Sequence, residues 1–210
     1  MRLRKFGHAC VRLEDDGAVL VIDPGMWTEP AALDGVDAVL ITHEHPDHLD
    51  VDRLADALGR RPAVRVYAHP EVLPLLSALD GALTAVSAGE EFEAAGLPVR
   101  TFGGLHAEIH PDLPRVPNLG FLVADRVYHP GDSFDVPDGV SVDTLFVPVS
   151  APWLRAADSV EFVRAVRPRR AYALHDGLLN DRGLALVDRL VGDLAGVRYA
   201  RLGPEREVDA

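Results

Sequence analysis

Hydrophobic positions at the start of the chain fall in short runs divided by tight polar breaks. Arg2–Phe6, Cys10–Leu13 and Ala18–Ile22 read as strands, separated by Gly7-His8 and by Asp15-Asp16-Gly17, a hairpin signal. Val36–Ile41 is apolar apart from Asp37, the pattern of a strand buried on both faces. Asp50 then reads as a helix N-cap, with Val51, Leu54, Ala55 and Leu58 at helical spacing and Gly59 as a stop. A second strand-helix unit follows, with a strand at Val64–Ala68 and a helix around Glu71–Leu79.

Short strands return at Leu83–Val86, Glu91–Glu93, Val99–Phe102, His106–Ile109, Leu119–Val123 and Arg126–His129, and Thr144–Val149 is another buried-type strand. Ser159–Val166 and Gly183–Leu194 carry apolar residues three and four apart and read as helices flanking a strand at Ala171–Leu174. Val197–Leu202 closes the pattern as a last strand, and Pro204–Ala210 is expected to fray. Pro111, Pro114 and Pro117 stiffen one loop without forming a linker. Both halves run strands first and helices later, which implies one α/β domain over residues 1–210, with two mixed sheets packed together and helices outside.

The 210 residues suffice to bury a sizeable core, and 48% hydrophobic with 26% charged residues is a globular composition. A net charge of −12 disfavours nucleic acid or an anionic membrane as partner. Cys10 is the only cysteine, so neither an intrachain disulfide nor a cysteine-based zinc site is available. The start MRLRKFGHAC is basic, but no apolar signal region follows it, and no apolar run reaches bilayer length. These features predict a cytoplasmic protein.

Candidate chemistry concentrates in Thr42-His43-Glu44-His45-Pro46-Asp47-His48. Residues i and i+2 of an extended segment point the same way, so His43 and His45 can converge on one ion. Asp47 and His48 follow at the turn into a helix and can converge on a second. Imidazole and carboxylate suit Zn²⁺, Mn²⁺ or Fe²⁺.

This H-x-H-x-D-H loop after a buried strand resembles the metallo-β-lactamase-fold hydrolases, whose architecture is a four-layer αββα sandwich. The segment Thr101–His106, the turn His129-Pro130-Gly131-Asp132-Ser133 and the run Ala171–His175 are similar to the family's later ligand segments. The resemblance implies two divalent ions, zinc first and manganese or iron as alternatives. His43, His45 and His106 would hold one, Asp47, His48 and His175 the other, and Asp132 would bridge them. Within the family, Gly7-His8, Ile22-Asp23-Pro24 and Gly131-Asp132-Ser133 look most like the small group typified by ascorbate-6-phosphate lactonase. Ser150–Asp158 departs from the polar stretch that group carries after its late strand.

His110 competes with His106 for the third-ligand role. His106 closes a strand-like run and is preferred, while His110 lies against Pro111 as a residue of the site mouth. His8 reads as a residue behind the ligands or against the substrate, and Asp23 as a carboxylate orienting a ligand imidazole. His129 and Ser133 read as structural, Cys10 as core, Trp27 and Trp153 as pocket walls, and Arg155 as a contact for an anionic substrate. The resulting expectation is a hydrolase of a small lactone, ester or phosphoester, with Asp47 and Asp132 as the catalytic carboxylates. A nuclease or phosphodiesterase on the same fold, or a non-catalytic metal-binding protein, are the alternatives. The oligomeric state is not legible.

Overall fold

The computed structural model describes residues 1–61, 63–79, 83–204 and 206–210. Two seven-stranded mixed sheets face each other. In the first, β1 (Arg2–Phe6), β2 (Cys10–Asp15) and β3 (Ala18–Ile22) form an antiparallel meander. β4 (Ala38–Leu40), β5 (Arg65–Ala68) and β6 (Leu83–Ala85) then continue the sheet in parallel from β3. The second sheet contains β7 (Glu91–Ala94), β8 (Leu97–Leu105), β9 (Pro117–Val123) and β10 (Val127–His129) in antiparallel order. β11 (Thr144–Pro148), β12 (Arg170–Leu174) and β13 (Arg198–Ala200) extend it in parallel from β10.

The apolar alternation explains the layering. In β3, Leu20 and Ile22 face the second sheet, while Val19 and Val21 face outward into another apolar layer. Both faces of such a strand are buried, so it reads as a continuous apolar run. The central core joins Leu13, Ile22 and Leu40 of the first sheet to Phe121, Val127, Phe146 and Leu174 of the second. Helix α1 (Val51–Arg60) covers the outer face of the first sheet through Leu54, Ala57 and Leu58. Helices α2 (Ala156–Val166) and α3 (Asp181–Leu194) cover the second through Val160, Phe162, Val163 and Val191. The result is the expected αββα sandwich. Among the described residues no helix is long and apolar enough to cross a membrane.

Three expected elements differ. The stretch Glu71–Leu79 forms only a 3₁₀ turn at Leu73–Leu76, because Pro74 supplies no amide for a continuing helix. A strand at His106–Ile109 does not form. β8 instead runs on to Leu105, and His106 leaves the sheet with its amide bonded to the Val116 carbonyl at 2.9 Å. The tail is not frayed: β14 (Glu207–Asp209) pairs antiparallel with β1, with Val208 against the central core and Glu207 paired to Arg4 at 2.8 Å. Residue 205 lies outside the described residues. Elsewhere the boundaries shift by one to three residues, as helix and strand ends do.

Candidate metal centre

The residues of the candidate metal centre collect at one rim of the sandwich, where strands end. Asp23 follows β3, His43 stands three residues beyond β4, and His106 and His175 directly follow β8 and β12. Asp132 lies three residues beyond β10, and His8 occupies the turn between β1 and β2. Parallel strands in open α/β sheets present such sites at their carboxyl ends, and the same placement holds here for β3, β4, β10 and β12.

The loop from Thr42 to His48 is set by its neighbours. Asp23, fully buried, accepts from the Thr42 amide at 2.8 Å, the Thr42 hydroxyl at 2.6 Å and His48 Nδ1 at 2.7 Å. Asp50 caps α1 by accepting from the Arg53 amide at 3.0 Å, which turns the chain immediately after His48. Gly25 lies beneath the loop, where a Cβ would strike the Asp47 carbonyl. On the opposite sheet, Asn118 of β9 clamps the Asp132 turn. Its amide group donates to the Pro130 carbonyl at 2.9 Å, and its Oδ1 accepts from the Asp132 amide at 2.9 Å. The Ala107 amide donates to the Asp132 carbonyl at 2.8 Å, which joins the His106 and Asp132 segments.

Hydrogen bonds assign the face each imidazole presents. The Thr42 hydroxyl spends its hydrogen on Asp23, so it accepts from His43 Nδ1–H at 2.9 Å. His48 Nδ1–H donates to Asp23, His106 Nδ1–H to the Ala107 carbonyl at 2.6 Å, and His175 Nδ1–H to the Ser150 carbonyl at 2.5 Å. In each of these four rings Nε2 points into the centre, the usual arrangement of a metal-binding histidine. His43 Nε2 faces His45 Nδ1 across 3.1 Å. Two nitrogens on one tetrahedral zinc lie about 3.3 Å apart, so the pair matches a shared ion.

Among the described residues the ligand-capable atoms form two groups, each within 4.8 Å: His43, His45, His106 and Asp132 in one, and His8, Asp47, His48 and His175 in the other. Asp132 reaches both, with Oδ2 at 3.2 Å from His106 Nε2 and 3.1 Å from His175 Nε2, and Oδ1 at 3.1 Å from His48 Nε2. Asp47 Oδ2 is 3.2 Å from His175 Nε2. Among the described residues, His48 Nε2, His106 Nε2, His175 Nε2 and Asp132 Oδ1 are buried without a hydrogen-bond partner. Buried polar atoms left unpaired are costly, and four together around two carboxylates fit bound cations.

The electrostatics agree. Burial drives the His43 pKa well below its ordinary value and lowers that of His45, so both rings are neutral donors. Burial also opposes charge on His48, but the Asp132 and Asp23 carboxylates outweigh it and hold that pKa well above the ordinary value. Against the same burial, Asp132 and Asp47 push His175 up to about 9. Against its desolvation, Asp132 stays far below the usual carboxylate range because of the charge of His48 and the close imidazoles of His106 and His175. Asp47 is held down similarly by His175 and His8.

The remaining candidates separate. His110 is exposed, with 62% of its side chain accessible, and only accepts from the Asp112 amide, so it lies outside the cluster. His129 donates from Nε2 to the Ala9 carbonyl at 2.9 Å and accepts at Nδ1 from Gly131, leaving no lone pair for an ion. Ser133 bonds the Pro130 carbonyl within its own turn. Cys10 packs in the layer under α1, where burial pushes its thiol pKa up. Trp27 packs perpendicular to the His8 ring, with centroids 4.9 Å apart. Trp153 lies against His106 and Phe134 and donates its indole N–H to Asp132 Oδ2 at 3.1 Å. Arg155 does not serve the site: it pairs with Asp158 at 2.7 Å at the start of α2. Sequence reasoning missed Asn118, Thr42 and the buried Lys5–Asp176 pair. A polar residue inside an otherwise apolar strand was the available signal for Asn118, and for Lys5 it was its place on the same face of β1 as the buried Leu3.

An αββα sandwich carrying H-x-H-x-D-H, histidine and aspartate ligands at strand ends defines the metallo-β-lactamase fold class. The chain belongs to the beta-lactamase superfamily, since its residues 2–175 match the family described as "Beta-lactamase superfamily domain". It is 38% identical over 208 residues to Protein Rv0786c of Mycobacterium tuberculosis, covering 96% of this chain and 91% of that one. A UPF0173 metal-dependent hydrolase of Aeropyrum pernix is 28% identical over 207 residues, covering 84% of this chain and 82% of the relative. The metallo-beta-lactamase fold protein YhfI of Bacillus subtilis superposes with a TM-score of 0.78 at 13% identity, covering 100% and 98% of the two chains.

Proposed function

We propose that the chain is a hydrolase that uses two divalent cations to cleave a small lactone, ester or phosphoester. His43, His45 and His106 would hold one cation and Asp47, His48 and His175 the other, with Asp132 shared. The observation that carries this reading is the set of buried, unpartnered Nε2 atoms of His48, His106 and His175 aimed at the Asp132 carboxylate. Zinc is the first candidate because neutral imidazoles dominate the donors, with manganese and iron next. The name metal-dependent hydrolase carried by the Aeropyrum relative supports the reaction class.

Bound at this site, the cations would bring a water's pKa toward neutrality and polarise the oxygen that gains charge. The chain supplies the rest. Asp47, partly accessible at the second cluster, would take the water proton and return it to the leaving group. Asp132 is held by Asn118 and Trp153 and keeps both clusters in register. Ile109, Leu113 and Pro114 line a small recess beside His45 and His106 and present exposed apolar side chains at the mouth of the site. A net charge of −12 favours such a substrate over nucleic acid, and a cytoplasmic location suits the lone buried cysteine.

The test is metal analysis of protein purified in metal-replete buffer, with hydrolysis of generic lactones, aryl esters and aryl phosphodiesters before and after chelation. Two ions per chain and chelator-sensitive turnover are expected. Absence of tightly bound metal, or hydrolysis indifferent to chelation, would sink the proposal.

A further inference from the structure

His8 lies within reach of the second group of ligand atoms, yet its ring presents the wrong face for a cation. It sits in the turn between β1 and β2, where Gly7 has φ +56° and a Cβ would strike the Trp27 carbonyl, so the backbone bend requires glycine. The bend drives the His8 ring inward until it is 1% exposed. There the Gly177 amide points at Nδ1 from 2.9 Å. A backbone amide only donates, so the Nδ1 lone pair is consumed and a neutral His8 carries its hydrogen on Nε2.

This is the reverse of His43, His48, His106 and His175, whose Nδ1–H groups face oxygen acceptors and turn Nε2 toward the centre. The reversal is built into the surroundings. A side chain on Gly177 would meet His8 Nδ1 at 3.0 Å, so glycine preserves the close amide approach. Gly177 follows Asp176, which is tied to Lys5 of β1 at 2.7 Å, and Lys5 also bonds the Gly7 carbonyl. The donor and the ring are thereby anchored to the same strand. The Nε2 of His8 stands 3.3 Å from Asp47 Oδ2 and has no completed hydrogen bond. Such contacts are commonly long before a site is loaded and tighten afterwards.

We infer that His8 is a positioning residue for Asp47 and not a metal ligand: its Nε2–H is locked toward the Asp47 carboxylate and fixes how that carboxylate faces the second cation. One Asp47 oxygen then accepts from His8 on one side, and the remaining lone pairs stay available to the ion and to the proton moved in hydrolysis. Ligating carboxylates are generally oriented by such outer partners. The inference builds on the proposed two-cation hydrolase, but the tautomer of His8 is a property of the chain in either state.

The experiment compares wild type, His8→Ala and His8→Gln as full chains. Long-range ¹⁵N–¹H spectra of ring-labelled histidine read the His8 tautomer with and without zinc, and metal analysis gives zinc per chain at saturation. Steady-state kinetics use p-nitrophenyl acetate and bis(p-nitrophenyl) phosphate. The expected tautomer is Nε2–H in both states, and both variants should bind zinc to the wild-type level. His8→Ala should lose about tenfold or more in kcat with little change in KM. His8→Gln should recover most of that loss, because its amide N–H reaches the position of Nε2–H. An Nε2 that sheds its hydrogen on zinc loading, a missing zinc in His8→Ala, or an unchanged kcat overturns the inference. Zinc-free wild type would overturn the two-cation reading alone, while an Nδ1–H tautomer in that same sample would overturn the role of His8.

Discussion

The indole Nε1–H of Trp153 donates to Oδ2 of Asp132, the same oxygen that lies 3.2 Å from His106 Nε2 and 3.1 Å from His175 Nε2. A hydrophobic wall thus also steers the carboxylate shared by the two clusters. Trp153→Phe keeps the packing on Phe134 and removes only the donor. Hydrogen bonds to charged groups contribute about 1.5 kcal/mol or more, so kcat/KM should fall about tenfold while metal content stays at wild type. Intrinsic fluorescence offers a second measurement, because a quench on metal loading that comes from Trp153 should disappear in the variant.

Asp132 itself should matter more than any single histidine, since its two oxygens approach both clusters. Asp132→Ala is expected to abolish hydrolysis and reduce bound metal from two ions to at most one, measured by metal analysis after gel filtration. Unchanged stoichiometry would remove Asp132 from the bridging role.

His106 and His110 provide a paired test of third-ligand choice. His106 Nε2 is buried in the cluster, whereas His110 is exposed and bonded to the Asp112 amide. His106→Ala should lose metal from the first site and with it activity. His110→Ala should keep both ions and turn over within about twofold of wild type, as surface changes away from such features usually do. Metal loss in His110→Ala would mean the loop rearranges on loading.

How far these residues were legible depended on how local their arrangement is. His43, His45, Asp47 and His48 share one short turn, so spacing alone grouped them. His106 and His175 were singled out by the family resemblance of their segments, and His106 was preferred over His110 because it closes a strand-like run whereas His110 lies against Pro111. The continuous apolar runs of β4 and β11 already implied strands covered on both faces. Tertiary details were hidden. Asn118 reads as an isolated polar residue in β9 until the Pro130–Asp132 turn folds over it. The tail looked frayed because β14 is short and charged. It is held by its ladder to β1, two hundred residues away in the chain, and by Val208 against the central core, with Arg2 and Arg4 paired to Glu207 on the outer face. Arg155 looked like a substrate contact because sequence carries no sign that Asp158 turns back onto it.

Metal uptake should release protons. The pKa of His175 is raised from 6.5 to about 9 and that of His48 well above 6.5, so both rings carry protons near neutrality in the metal-free chain. A cation needs the Nε2 lone pair, so loading near neutral pH should release about one to two protons per chain, read by calorimetry in buffers of different ionisation enthalpy. Metal affinity should accordingly rise with pH toward about 9 and fall in acid. The metal-free fold follows the opposite sign. The folded pKa of His175 exceeds its unfolded value, so its stabilising contribution is complete below 6.5 and lost as pH rises through about 9. Proton uptake on loading would contradict both statements.

The buried pair of Lys5 and Asp176 links the strand that presents His8 to the segment carrying His175. Lys5 is 1% exposed and its Nζ lies 2.7 Å from Asp176 Oδ1. Removing one partner of a buried pair leaves an uncompensated charge, so Lys5→Ala should destabilise the fold by about 3–5 kcal/mol in urea unfolding. Removing both partners relieves that penalty, so adding Asp176→Ala to Lys5→Ala should restore part of the loss rather than add to it. The Lys5→Ala chain should also bind the second cation more weakly, because Asp176 adjoins His175 and no longer holds that loop to β1. Additive losses in the double variant would show that the two side chains act separately, and that packing of the Lys5 stem carries its contribution.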